Sequence, residues 1–89
     1  MIREEIVIIN KLGLHARAAA KLVGAASQFG SMVSVYKDGR QADAKSIMAV
    51  MMLAASKGTA LTFEIDGSDE VLAWTAIETL INNFFDEGE

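Results

Sequence analysis

The apolar residues of this chain change their period several times along its length, and this alternation limits the fold more than any other feature. A two-residue period is typical of half-buried strands, whereas apolar residues at every third or fourth position indicate one face of a helix. The resulting order is β-α-β-β-α-β-α. Strands are predicted at Ile6–Ile9, Val33–Val35, Gln41–Ala44 and Leu61–Ile65, and helices at Ala16–Phe29, at Ser46–Ala55 and from the capping residue Asp69 to Phe84.

The tetrapeptide Lys37-Asp38-Gly39-Arg40 determines the direction of two of these strands. Asp-Gly suits a type I′ turn, so the flanking strands form a hairpin and the sheet is mostly antiparallel. A chain of 89 residues has enough material to cover one face of such a sheet. We therefore expect an α+β fold, a two-layer open-faced sandwich with a four-stranded sheet and three helices on one face, forming a single domain over residues 1–89.

Composition excludes several classes of function. A net charge of −4 argues against nucleic acid as a partner, because phosphate backbones are bound by clustered Lys and Arg. Cysteine is absent, which excludes disulfides, thiolate metal sites and cysteine nucleophiles. No apolar run approaches the roughly 20 residues that cross a bilayer. Glu4 and Glu5 stand where a signal peptide would have its apolar core. We expect a cytoplasmic protein without membrane insertion, cofactor or metal.

The only histidine lies in Gly13-Leu14-His15-Ala16-Arg17, where a strand segment gives way to a helix. A lone histidine at a helix start is usually structural, but the unpaired N–H groups there favour an anion beside a nucleophilic ring. Arg17 can reach the same anion with its forked donors, and Gly13 lets the loop turn without side-chain obstruction. The pattern predicts phosphate binding by His15, Ala16 and Arg17, although a sulfate or a carboxylate would satisfy the same groups.

Ser46 is the second candidate site. Serine is a preferred N-cap, and a helix is predicted directly after it. Ala49 stands where a capping box would have an acid. A phosphate on a serine at a helix start would add about −1.5 to −2 charge, and the helix dipole would stabilise it. Capping and regulatory phosphorylation are therefore compatible at this position.

The segment from Ile47 to Ala55 is apolar on all sides, although a two-layer fold can cover only one side of it. We expect Val50, Leu53 and Ala54 to enter the core. The remaining side chains would form an exposed surface whose flexible methionines suit several partners. The residues of this predicted docking patch are Ile47, Met48, Met51 and Met52.

Two glycines and the acidic residues near both ends of the sequence are expected to have structural roles only. Gly24 inside the first helix costs about 1 kcal/mol relative to alanine, which predicts close packing against it. Gly58 is expected to end the second helix. Glu4, Glu5 and the acidic tail Asp86-Glu87-Gly88-Glu89 are expected to be solvated ends.

Two segments resemble the signatures of a known family. Asn10-Lys11-Leu12-Gly13-Leu14-His15-Ala16-Arg17 resembles the active-site signature of HPr, the histidine-containing phosphocarrier of the bacterial phosphotransferase system. Ala44-Lys45-Ser46-Ile47-Met48-Ala49-Val50-Met51 resembles the signature around the regulatory serine of that family. The separation of the two segments, the order of elements and the whole length agree as well.

The resemblance implies a relay protein that is not itself an enzyme. His15 would accept phosphate from enzyme I, which phosphoenolpyruvate charges, and pass it to an enzyme IIA domain in sugar uptake. In the family the acceptor is the δ1 nitrogen of the histidine. Arg17 would hold the phosphoryl oxygens, Ile47, Met48 and Met51 would form the docking surface, and HPr kinase/phosphorylase would modify Ser46. A monomer is the expectation for such transient docking.

One departure and three alternatives remain. Ala18 stands where the family usually has proline, which would cost about 0.4–1 kcal/mol of stability without removing the role. A nitrogen-branch (NPr-type) regulatory phosphocarrier would use the same histidine chemistry. An HPr-like regulatory binding module would keep the fold and Ser46 without carrying phosphate. A small RNA-binding α+β domain is disfavoured by the acidic balance and the missing aromatic platform.

Overall fold

The structure is a computed structural model that describes residues 1–89. Its elements follow the predicted order β-α-β-β-α-β-α and end in a short 3-10 turn. They are β1 (Ile2–Val7), α1 (Ala16–Ser27), β2 (Met32–Lys37), β3 (Arg40–Asp43), α2 (Ile47–Met52), β4 (Ala60–Asp66), α3 (Glu70–Asn82) and the 3-10 turn Phe84–Asp86.

The four strands form one open sheet in the order β1-β4-β2-β3, and every neighbouring pair is antiparallel. Asp38 and Gly39 both have positive φ angles, 51° and 81°, as a type I′ turn requires. The α+β sandwich and its antiparallel sheet are therefore confirmed. None of the helices is long and apolar enough to cross a bilayer.

The core lies between the helices and one face of the sheet. Along β4, buried residues alternate with partly exposed ones, so that Leu61, Phe63 and Ile65 face the helices. The helices close the other side of the core with Leu22, Ala26, Val50, Ile77 and Ile81. At about 25 cal/mol per Å² of apolar surface, burial of these side chains is the main stabilising contribution to the fold.

Two element boundaries differ from the prediction by more than two residues, because residues distant in sequence set them. β1 begins at Ile2, because the antiparallel register with β4 runs from Ile2 opposite Ile65 to Val7 opposite Ala60. α2 ends at Met52, because the Lys37 Nζ of β2 donates to the carbonyl oxygens of Leu53 at 2.9 Å and Ala54 at 3.2 Å.

Three further expectations were wrong. Ala54 is exposed in a left-handed conformation (φ 53°) and does not enter the core, unlike Val50 and Leu53. Gly58 lies beyond the helix in a turn, where its N–H donates to the carbonyl oxygen of Ile8 at 2.7 Å. Gly24 is exposed, and no atom lies within 4 Å of the position that a Cβ would take there, so close packing does not explain it.

Candidate functional site

The loop before His15 is held against the segment that follows α2. Gly13 has a φ of 67°, and a Cβ there would lie 2.5 Å from the carbonyl oxygen of Ala55. The N–H of Leu14 donates to that same oxygen at 2.8 Å. Glycine is therefore required at this position both for its backbone conformation and for the close approach. This contact determines where the chain enters α1.

His15 is the N-cap residue of α1 and has an extended backbone conformation. Its carbonyl oxygen accepts from the N–H of Ala19 at 2.8 Å, which closes the first helical turn. Its side chain makes no capping bond. The N–H groups of the first turn, which begins at Ala16, have no partner inside the helix by its geometry. The imidazole is therefore free for other contacts beside the positive end of the helix dipole.

A shallow depression of about 750 Å³ opens at this end of α1. His15, Ala16 and Arg17 line it together, so the structure places the three predicted phosphate-binding residues at one surface. Arg17 is exposed and makes no hydrogen bond or ion pair within the chain, which leaves its guanidinium available to an anion. The other lining residues are Leu12, Lys21, Asp86, Glu87 and Glu89.

Glu87 of the acidic tail is largely withdrawn from solvent at this depression, contrary to the expectation of a solvated end, whereas Asp86, Gly88 and Glu89 are exposed as expected. The Oε2 of Glu87 lies 2.5 Å from the Nε2 of His15, and the two side chains are only 12% and 28% exposed. The Oε1 of Glu87 accepts from the Nδ2 of the buried Asn10 at 3.3 Å. Glu4 and Glu5 are exposed as predicted.

Sequence reasoning missed Glu87 because 72 positions separate it from His15 and no local pattern links them. The one available signal was chemical, since the groups around His15 suit a carboxylate as well as a phosphate. The sequence indicates Asn10 only as part of the active-site signature, but its Nδ2 also donates to the carbonyl oxygen of Gly13 at 2.8 Å. It connects the loop to the tail.

Ser46 is the N-cap of α2, as its residue type predicts. Its Oγ accepts from the N–H of Ala49 at 3.4 Å, a long bond for a cap. The residue is partly exposed, so its hydroxyl group lies at the surface next to the first residues of α2.

The four side chains of the predicted docking patch are exposed, as expected. Met48 and Met52 are the most exposed of them, while Val50 between them is fully buried. Leu12, in the loop that leads to His15, is also an exposed apolar residue. α2 thus presents one apolar face to the core and another to solvent.

Comparisons with known proteins agree on one family. The model of the PTS HPr component phosphorylation site matches residues 2–83. The phosphocarrier protein HPr of Cupriavidus necator is 56% identical over 89 residues, all of both chains. The crystal structure of HPr-C-His from Thermoanaerobacter tengcongensis superposes with a TM-score of 0.94 at 44% identity, covering 98% of each chain.

A second structure from Thermoanaerobacter tengcongensis, described as an HPr dimer, matches with a TM-score of 0.77 at 44% identity and covers 96% of this chain and 98% of its own. The relatives bear the name HPr, so they do not favour a nitrogen-branch phosphocarrier. With matching signatures, fold and full-length similarity, this chain belongs to the HPr family of phosphocarrier proteins of the phosphotransferase system.

Proposed function

We propose that His15 is the residue that carries phosphate in this protein, receiving it from enzyme I and transferring it to an enzyme IIA domain. The observation that carries the proposal is the position of the imidazole. It sits at the N-terminus of α1, makes no capping bond, and opens onto a depression that also contains Arg17. Phosphorylation adds strong acceptor oxygens, and N–H groups at a helix start together with an arginine are suited to receive them.

Arg17 has the role of holding the phosphoryl oxygens in this proposal. Its guanidinium is unpaired within the chain and lines the same depression as His15. The N–H groups of the first turn, beginning with that of Ala16, supply further donors. Ala18, which replaces the usual proline, is the third residue of α1 and is fully buried. Its position in the first turn is compatible with the same helix start.

We also propose that Ile47, Met48 and Met51 form the surface on which these partners dock. They are exposed apolar side chains on a short helix, whereas Val50 of the same helix is buried in the core. Ser46 precedes this surface directly, so a phosphate placed there by HPr kinase/phosphorylase would put charge beside groups that a partner must desolvate. Residues 1–89 act as one domain, a monomer of the cytoplasm, in this proposal.

The test is the intact mass of the protein after incubation with phosphoenolpyruvate, magnesium and enzyme I. One acid-labile phosphate on the wild type, absent from His15→Ala, is expected. Arg17→Ala should keep the acceptor but slow its loading, because only the charge compensation is lost. If the wild type takes no phosphate while another HPr does in the same reaction, the protein is a binding module and not a carrier. Light scattering at several concentrations tests the monomer.

A further inference from the structure

Glu87 makes a contact with His15 that phosphate binding does not explain. Its Oε2 lies 2.5 Å from Nε2 of the ring, in the depression that Arg17 also lines. The 12% exposure of the Glu87 side chain shows that the carboxylate is largely withdrawn from solvent. A short, shielded bond between a carboxylate and an imidazole is stronger than a neutral hydrogen bond.

Packing and hydrogen bonds hold the chain in place on both sides of Glu87. Before it, Phe84, Phe85 and Asp86 form a left-handed turn, Phe85 is fully buried, and Nζ of Lys21 donates to the carbonyl oxygen of Phe85 at 2.8 Å. After it, the carbonyl oxygen of Glu89 accepts from the N–H of Lys11 at 2.9 Å. Three consecutive non-glycine residues with positive φ are unfavourable unless the surrounding structure holds them. The fold therefore holds Glu87 at this position.

The chemistry of the contact determines which ring nitrogen is free. An ionised carboxylate has only acceptor sites, so the bond to Oε2 requires a proton on Nε2. In a neutral imidazole the other nitrogen, Nδ1, then keeps its lone pair. Asn10 supports this arrangement, because its Nδ2 donates to the second oxygen of Glu87 at 3.3 Å and to the carbonyl oxygen of Gly13 at 2.8 Å.

We propose that Glu87 is a positioning residue for phosphoryl transfer, holding the proton on Nε2 of His15 so that Nδ1 is the nucleophile. The inference rests on the proposed role of His15. The Nδ1 lone pair forms the N–P bond while the bond from phosphorus to the donor's leaving atom breaks and returns its electron pair to that atom. The Nε2 proton stays in place, and the ring acquires a positive charge that the adjacent carboxylate compensates, as an aspartate does beside the histidine of a serine-protease triad.

The tautomer of His15 is measured first, and this measurement needs no phosphate donor. Nitrogen-15 NMR, read at the high-pH plateau of the ring signals, distinguishes protonated from unprotonated ring nitrogens of the neutral imidazole. The wild type and the control Glu4→Gln, whose glutamate is exposed and lies outside the depression, should show a proton held on Nε2. Glu87→Ala should show ring nitrogens that exchange between tautomers, because no acceptor then holds the proton on Nε2. Unchanged signals in Glu87→Ala would overturn the proposal.

The rate of phosphoryl transfer is measured second, on the same variants. Carboxylates that orient a metal-binding histidine through its second nitrogen typically affect affinity or activity 10- to 100-fold. By the same orienting action, about a tenfold slower transfer is expected for Glu87→Ala. Glu4→Gln should match the wild type, because Glu4 is exposed and lies outside the depression. Faster transfer in Glu87→Ala would show instead that the tail obstructs the site. Failure of the wild type to accept any phosphate would refute the proposed function, while normal loading with an unaffected Glu87→Ala rate would refute the role of Glu87 alone.

Discussion

The hydroxyl group of Ser31 donates a hydrogen bond to the carboxylate of Asp69, a residue 38 positions further along the chain. The same carboxylate accepts the N–H of Gly30 at 2.9 Å and the N–H of Ser31 at 3.0 Å. Asp69 occupies the N-cap position of α3 but makes no side-chain cap for that helix. It joins the segment after α1 to the start of α3.

These bonds predict how stability depends on pH. The Ser31 hydroxyl, followed by the N–H groups of Gly30 and Ser31, lowers the pKa of Asp69 below its ordinary value. A carboxyl group whose pKa is lower in the folded protein stabilises the fold above its unfolded pKa of about 3.9, and this contribution is lost as pH falls further. Urea unfolding of the wild type between about pH 5 and 2.5 should therefore show a falling free energy of unfolding.

Asp69→Asn should reduce this dependence, because an amide has no proton to take up. Part of the slope should remain, since the Met1 amino group also lowers the pKa of Glu70. The control is Asp38→Asn. Asp38 is exposed in the hairpin, and asparagine suits a type I′ turn as aspartate does. This control should leave the wild-type slope unchanged. Equal slopes for Asp69→Asn and the wild type would contradict the assigned role of the Asp69 carboxylate.

Gly13→Ala is expected to reduce stability by more than about 2 kcal/mol, combining the left-handed backbone conformation with a clash. The added Cβ would lie 2.5 Å from the backbone oxygen of Ala55. Gly39→Ala separates the two causes, since Gly39 also has a positive φ but no atom within 4 Å of its Cβ position. Chemical denaturation should show the smaller loss at Gly39. A loss at Gly13 no larger than that at Gly39 would mean that the loop moves away from Ala55 freely.

Gly24→Ala should stabilise the protein by about 1 kcal/mol. The residue lies within α1, and a Cβ there meets nothing within 4 Å. Ala20→Gly is the reverse change at an exposed position of the same helix and should lower stability by a similar amount. Thermal and urea unfolding test both variants. A destabilised Gly24→Ala would show that the glycine has a structural role that the packing does not reveal.

Met48→Lys should weaken binding to enzyme I at least about tenfold, because truncating or charging a central apolar contact costs about 1.4 kcal/mol or more. The matched control is Leu72→Lys, since Leu72 is similarly exposed, at 64% against 69% for Met48, and also lies in the first turn of its helix. Calorimetric titration should find little change for Leu72→Lys. Equal weakening by both substitutions would exclude α2 as the specific docking surface.

Ser46→Asp should weaken the same interaction about tenfold, equivalent to about 1.4 kcal/mol, while the protein remains stably folded. Aspartate is as good an N-cap as serine, so the substitution adds charge beside the patch without removing the cap of α2. Ser46→Ala removes the cap without adding charge. It should therefore lower the free energy of unfolding by up to about 1 kcal/mol and leave binding intact. Unchanged binding by Ser46→Asp would argue against regulation at this serine through charge.

Local patterns were sufficient for most of the fold. The alternating residues of β4 predicted its buried face, and Asp38-Gly39 predicted the type I′ turn, because the conformations involved depend on residues a few positions apart. The exposure of Met48 and the burial of Val50 followed from the limited thickness of the fold. The predicted end of α2 lies too late in the chain, because Ala54 adopts a left-handed conformation and Lys37 of β2 donates to the carbonyl groups of Leu53 and Ala54 just after the helix.

The sequence by itself determined the order of the elements, the antiparallel hairpin and the position of His15 at the start of a helix, since each depends on neighbouring residues. Only the tertiary structure decided that Glu87 contacts Nε2 of His15 and that Asp69 binds Gly30 and Ser31 instead of capping α3. Both contacts join residues separated by dozens of positions. Such pairs form when packing of the helices on the sheet brings distant backbone and side chains together, so no local sequence pattern predicts them.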